Sequence, residues 1–97
     1  MRRKFREWKE VKAEFLSNPE FKREYEKLRP KYEAISAMIK ARLESGLTQK
    51  ELANKLKTKQ SNISRVESGK ITPSLTFLNR FAQALGKRLE IRFKPAL

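Results

Sequence analysis

The sequence predicts an all-α fold that ends in one short β-strand, and two observations carry this reading. Apolar residues recur at three- and four-residue spacing from about residue 5 to residue 85, and the spacing then switches to two over residues 89–93. Within the helical stretch, two short amphipathic segments at 48–56 and 60–68 are separated by a turn of only three residues.

In chain order, Phe5, Trp8, Val11, Phe15 and Leu16 fall on one face of a first helix, with Arg6, Lys9 and Lys12 facing elsewhere, and this helix is expected to stop near Ser17. Asn18-Pro19-Glu20 then starts a second helix. It has an Asn cap, a proline in the first turn where its missing N–H costs nothing, and an acid near the positive end of the dipole. Phe21, Tyr25 and Leu28 form its apolar stripe. Pro30 removes a backbone donor and disfavours helical geometry at Arg29, so the helix should end, kink or restart there. A restart is expected, with Ile35, Met38, Ile39, Arg42 and Leu43 on one face and Gly46 as the stop.

Thr48 caps the next helix, and Glu51 three residues on completes a capping box. Leu52, Ala53 and Leu56 face inward. Residues 57–59 form the turn, and the second short helix over 60–68 buries Ile63 and Val66 and stops at Gly69. Pro73-Ser74 opens a last helix with the stripe Leu75, Leu78, Phe81, Ala82 and Leu85, closed by Gly86. Leu89, Ile91 and Phe93 alternate with Arg88, Glu90 and Arg92, the pattern of a single half-buried strand.

Composition bounds the function. Ninety-seven residues with 38% hydrophobic content support one modest core plus an appendage. The chain has no cysteine and no histidine, which removes disulfides, thiol chemistry, zinc fingers and nearly every transition-metal site, so no metal or cofactor is expected. Apolar runs are too short for a membrane span or a signal peptide, which places the chain in the cytosol, with no membrane partner. Twenty-four Lys and Arg against eleven Asp and Glu give a net charge of +13, suited to a polyanionic partner. Residues 1–34 carry 11 basic and 7 acidic side chains, and residues 35–97 carry 13 and 4, so the second part is the polyanion binder.

The paired short helices have the geometry of a helix-turn-helix, in which the second helix lies in the DNA major groove and its outward residues meet base edges. Here those are Gln60, Ser61, Asn62, Ser64 and Arg65. Gln and Asn can bond an adenine edge through two hydrogen bonds, Arg can do the same to guanine, and Ser is an adaptable donor and acceptor. The alternative for such a face is ordinary solvation.

The stretch Gly46-Leu47-Thr48-Gln49-Lys50-Glu51-Leu52-Ala53, followed by Gln60 to Lys70 and Pro73-Ser74-Leu75, closely resembles the Cro and phage-repressor helix-turn-helix family, also called the Xre family. The resemblance spans residues 35–86 and implies a five-helix phage-repressor-like domain. It implies that Gln49 contacts backbone phosphate, that Gln60, Ser61 and Arg65 face bases, and that Lys70 approaches phosphate after the recognition helix. Thr48 and Lys59 complete the expected DNA-contacting set. The family often pairs residues at the positions of Arg42 and Glu67, a structural tie between an upstream helix and the recognition helix; a lone Arg42 could equally face phosphate. Two positions depart from the pattern. Lys57 stands where glycine is usual, so a non-glycine residue is asked to turn left-handed. Lys59 stands where a Ser or Thr cap is usual, which leaves Thr58 as an alternative cap that would shift the helix start by one residue. Lys57 and Lys59 would add charge beside the DNA backbone.

The whole layout resembles HigA-type antitoxins: a Phe-Leu-Ser-Asn-Pro-Glu-Phe and Tyr-Glu-Lys-Leu-Arg-Pro leader, the helix-turn-helix, then Leu-Gly-Lys-Arg-Leu-Glu-Ile-Arg-Phe. This resemblance implies an antitoxin that binds and neutralises a RelE/HigB-like mRNA-cleaving toxin and represses its own operon. Residues 1–34 are then an N-terminal helical extension and the candidate toxin-docking segment, with Phe5, Trp8, Val11, Phe15, Phe21 and Tyr25 as its apolar anchors. These side chains could instead pack on the DNA-binding core, and Phe21, Tyr25 and Leu28 favour that alternative. The leader is net +4, so occlusion by an apolar face is a better expectation than charge neutralisation. Residues 87–97 hold the strand, whose Leu89, Ile91 and Phe93 need a partner; a second copy would make a homodimer on a palindromic operator, or the strand could extend a toxin's sheet.

Other classes fit less well. An enzyme is not expected, because no His, Cys nucleophile, phosphate-binding glycine loop or acidic metal cluster is present. A membrane-surface protein or RNA chaperone would use the charge but not the ordered motif. A small-molecule ligand is not expected in a chain that leaves little room for a pocket. The competing reading is a stand-alone repressor with no toxin.

Overall fold

The computed structural model describes residues 10, 11, 13, 14 and 17–96. The architecture is all-helical: beside helical residues at 10, 11, 13 and 14, it consists of α1 (Pro19–Glu44), α2 (Gln49–Leu56), α3 (Gln60–Glu67) and α4 (Leu75–Ala84). The chain divides into two compact units, with the boundary between Pro30 and Lys31.

The start of α1 follows from its sequence. Asn18 Oδ1 accepts the backbone N–H groups of Glu20 and Phe21 at 2.9 and 3.2 Å, satisfying two of the donors that every helix start leaves open. Pro30, by contrast, does not end the helix. The two helices expected on either side of it are one helix of 26 residues. An interior proline costs about 3 kcal/mol, but a break also needs a residue that stops the helix. The flanking Leu28-Arg29 and Lys31-Tyr32-Glu33-Ala34 contain neither glycine nor an Asn or Ser cap, and the helix continues through them.

The second unit is built on one core. Met38, Leu52, Ala53, Leu56, Ile63, Val66 and Phe81 form a buried cluster, and Ala41, Phe77, Leu78, Ala84 and Leu85 pack against it. Helix α2 packs on both α3 and α4, and its Leu52, like Ile63 of α3, is completely removed from solvent. Two leucines expected on core stripes are outside: Leu43 is 61% and Leu75 62% exposed. Leu43 lies about 140° around the helix from Met38, off the buried side. Leu75 is the first residue of α4, before the helix has turned onto the core.

The expected C-terminal strand is not formed. Residues 87–96 have no regular secondary structure, and no strand occurs among the described residues. A strand of five residues has unpaired N–H and C=O groups along both edges and no stability without a neighbour. Ile91 and Phe93 are 60% and 98% exposed, while Leu89 is half-buried. No helix of the described residues is long and apolar enough to cross a membrane.

Candidate nucleic-acid interface

Helix α2 is set in place by its caps. Thr48 accepts the Glu51 N–H at 3.0 Å through its hydroxyl, and its own N–H donates to the Glu51 carboxylate at 2.8 Å, a complete capping box. At the other end, Lys57 adopts the left-handed conformation, with φ 54° and ψ 47°. Its N–H donates to the Asn54 carbonyl and that of Thr58 to the Ala53 carbonyl, so the left-handed turn satisfies two terminal acceptors. The conformation is one that glycine takes without penalty and lysine does not.

Helix α3 starts at Gln60, with Lys59 in the cap position and no side-chain cap. Thr58 does not replace it; its hydroxyl accepts from the Asn62 amide at 2.7 Å. The helix start is therefore not shifted, and the outward face is set by Ile63 and Val66, which are buried. Gln60, Ser61, Ser64 and Arg65 are exposed, and Lys59 and Lys70 stand exposed at the two ends of the helix. Asn62 is half-buried and committed on both sides of its amide: Nδ2 donates to Thr58, and Oδ1 accepts from Arg65 Nη2 at 2.8 Å.

The helix pair is fastened by an ion pair. Arg42 of α1 donates from Nε to Glu67 Oε2 at 2.7 Å and from Nη2 to Glu67 Oε1 at 3.0 Å. Its third nitrogen, Nη1, donates to the Leu47 carbonyl at 2.8 Å. The two side chains are only 12% and 6% exposed, so Arg42 is a structural cation with no face left for phosphate. Gln49 also joins this network, donating from Nε2 to Glu67 Oε1 at 2.9 Å. Its side chain is half-buried at the start of α2. Thr48, the residue before it, is exposed.

Two contacts go beyond what the sequence reading predicts. Arg80 of α4 donates from Nη2 to the Leu56 carbonyl at 2.7 Å, satisfying an acceptor at the end of α2 across 24 residues of chain. No local pattern points to it. The Thr58–Asn62–Arg65 chain, at spacings of four and three, could have been found by asking which polar side chains share one helix face.

In the other unit, Phe21 is 40% exposed and its ring stacks on Tyr25 with centroids 6.3 Å apart. Val11 is half-buried. Phe5, Trp8 and Phe15 lie outside the described residues.

A family model for the helix-turn-helix matches residues 38–91, more than half of the chain, and covers α2, α3, α4 and the turn between them. The chain belongs to the helix-turn-helix family. The helix-turn-helix is a DNA-binding unit. The chain is similar to a multi-protein-binding factor 1 of Yarrowia lipolytica, at 44% identity over 62 residues, 62% of this chain and 41% of that protein. It is similar, too, to an uncharacterized helix-turn-helix-type transcriptional regulator of Methanothermobacter thermautotrophicus, at 44% identity over 46 residues, 47% of this chain and 67% of that protein. The match thus spans less than half the length of the first of these relatives. No solved structure matches the chain.

Proposed function

We propose that this chain is a sequence-specific operator-binding repressor that reads bases through the exposed face of α3. The observation that carries the reading is the chemistry of that face. Gln60, Ser61, Ser64 and Arg65 stand exposed together while Ile63 and Val66 hold the helix to the core, which supplies hydrogen-bond donors and acceptors of the kind that discriminate base edges. Thr48, Gln49, Lys59 and Lys70 flank it as phosphate contacts, and the uncapped first turn of α3 offers backbone N–H groups in the same direction. A network that ties Gln49 to Glu67 and Arg42 keeps this phosphate contact in register with the reading helix.

The test is a pair of substitutions read on binding sites selected from a random duplex library. Arg65→Ala should relax preference at one base pair, by about 1–3 kcal/mol, whereas Gln49→Ala should weaken all sequences alike. An Arg65→Ala protein that selects the same site as the wild type would sink the placement of the reading face.

The finer part of the proposal is that the chain is the antitoxin of a toxin-antitoxin pair and a homodimer. Phe21, 40% exposed in a unit separate from the DNA-binding one, supports a protein partner for the leader, and the Yarrowia lipolytica relative is itself named for multi-protein binding. The exposure of Ile91 and Phe93 supports a second copy as the partner of the C-terminal segment. Co-expression with the neighbouring open reading frame should yield a co-purifying small protein that is lost on deleting residues 1–34, and light scattering should give the mass of a dimer. A chain that purifies alone as a dimer leaves the stand-alone repressor; a monomer at micromolar concentration removes the dimer.

A further inference from the structure

Asn62 stands on the reading helix among residues suited to base contact, yet its amide is turned to the protein. Nδ2 donates to the Thr58 hydroxyl four residues back, in the turn, and Oδ1 accepts from Arg65 Nη2 three residues on. This amide orientation is the one the partners demand, because an arginine only donates and Asn must present oxygen to it. A bidentate adenine contact would need the same oxygen and the same NH2 group aimed outward together, and Asn62 and Thr58 are both half-buried.

We infer that Thr58 and Asn62 are positioning residues that hold the Arg65 guanidinium for base reading, and that Asn62 is not itself a base reader. The inference rests on the reading of α3 as the helix that meets base edges. Arg65 is exposed, and an exposed arginine on a short helix samples many rotamers, each loss of which must be supplied on binding. A hydrogen bond at 2.8 Å from one Nη2 proton restricts that freedom while four of the five guanidinium protons stay available, and a guanine edge takes two. The far end of the tether is the turn itself. Thr58 donates its backbone N–H to the Ala53 carbonyl, closing the end of α2, so the tip of Arg65 is referenced through two side chains, Asn62 and Thr58, to the end of the preceding helix. Sequence preference at one base pair thus depends on a threonine that the DNA has no need to touch.

The experiment is site selection and affinity measurement on full-length chains carrying Asn62→Ala, Thr58→Val, Thr58→Ser and Arg65→Ala, with the first two also combined with Arg65→Ala. Thermal melting checks that each variant folds. Asn62→Ala and Thr58→Val should each lower discrimination at the base pair that Arg65→Ala affects, by about fivefold, a part of what a full bidentate contact supplies. Affinity for unrelated duplex should stay unchanged. In the Arg65→Ala background both substitutions should have no further effect on preference, since residues acting through one another are not additive. Thr58→Ser, which keeps the hydroxyl, should retain wild-type preference. Relaxation of a different base pair by Asn62→Ala, or an effect that survives in the Arg65→Ala background, would make Asn62 a direct reader and overturn the inference. So would a Thr58→Val chain, folded, with wild-type preference, even if Asn62→Ala failed to fold. If the wild type selects no sequence at all, the reading of α3 falls and the inference with it, an outcome distinct from a wild-type preference indifferent to Thr58 and Asn62.

Discussion

Replacing Arg42 by methionine should be the most damaging single change to the second unit that leaves its apolar core intact. Arg42 makes three hydrogen bonds, two to Glu67 at 2.7 and 3.0 Å and one to the Leu47 carbonyl at 2.8 Å. Methionine keeps most of the apolar stem and removes the charge, so packing loss is small. What remains is Glu67, 6% exposed, with the neutral Gln49 amide still donating to it. Removing one partner of a buried pair costs about 3–5 kcal/mol, mostly because the other charge is left desolvated. The Gln49 donor places this case at the lower end, about 3 kcal/mol. The assay is urea unfolding of the full chain followed by circular dichroism, with the slope required to match the wild type so that the midpoint reports stability. Glu67→Leu in the Arg42→Met background should recover a substantial part of the loss, since an apolar pair leaves no charge behind. A shift under about 0.5 kcal/mol for Arg42→Met, or strict additivity in the double variant, would refute the claim that the network holds α1 to α3.

Three smaller effects follow from the same geometry. Thr48→Ala removes the hydroxyl that accepts the Glu51 N–H but keeps the backbone N–H that donates to the Glu51 carboxylate, and it should destabilise by about 1 kcal/mol in the same unfolding assay, with Thr48→Ser close to wild type. Lys57→Gly should stabilise slightly, because relief of about 1–2 kcal/mol at a left-handed residue exceeds the roughly 0.4–1 kcal/mol that glycine adds to unfolded-chain entropy; a lower melting temperature would contradict it. Lys70→Ala should flatten the dependence of log affinity on log salt by about one unit without changing which sequence is preferred, measured by titration at several salt concentrations.

What was legible in the sequence is what local spacing controls. Thr48 and Glu51, Asn18 with Pro19, and the seam of Leu52, Ala53, Leu56, Ile63 and Val66 each lie within a few residues of what they contact or mark a periodic face, and the structure has them as caps and core. The left-handed Lys57 was readable through the family resemblance, which puts a glycine at that position. Where the outcome depends on partners far along the chain, spacing carries no signal. Arg80 reaching Leu56 and Gln49 joining Glu67 are examples, with the partners 24 and 18 positions apart. Pro30 shows a third case: proline penalises a helix locally, and the cost is outweighed when the residues on both sides favour continuation. The alternation at 89–93 is genuine as a pattern, but a strand is a property of a pair, and one chain does not supply the second edge. On the outward face of α3, residue type identified Gln60, Ser61, Ser64 and Arg65 as exposed polar groups, while it could not separate Asn62, which looks the same in sequence and is turned inward by its neighbours.

The measurement that bears most directly on the central claim is the ratio of dissociation constants for the best selected duplex and a scrambled duplex of equal length, taken by fluorescence anisotropy at physiological salt. A chain that reads bases through α3 should show a ratio of at least about a thousandfold, and the ratio should persist as salt rises while both affinities fall. A ratio near one, with strong and parallel salt dependence, would mean that the +13 charge binds DNA without reading it and that the polar face of α3 is only solvated surface.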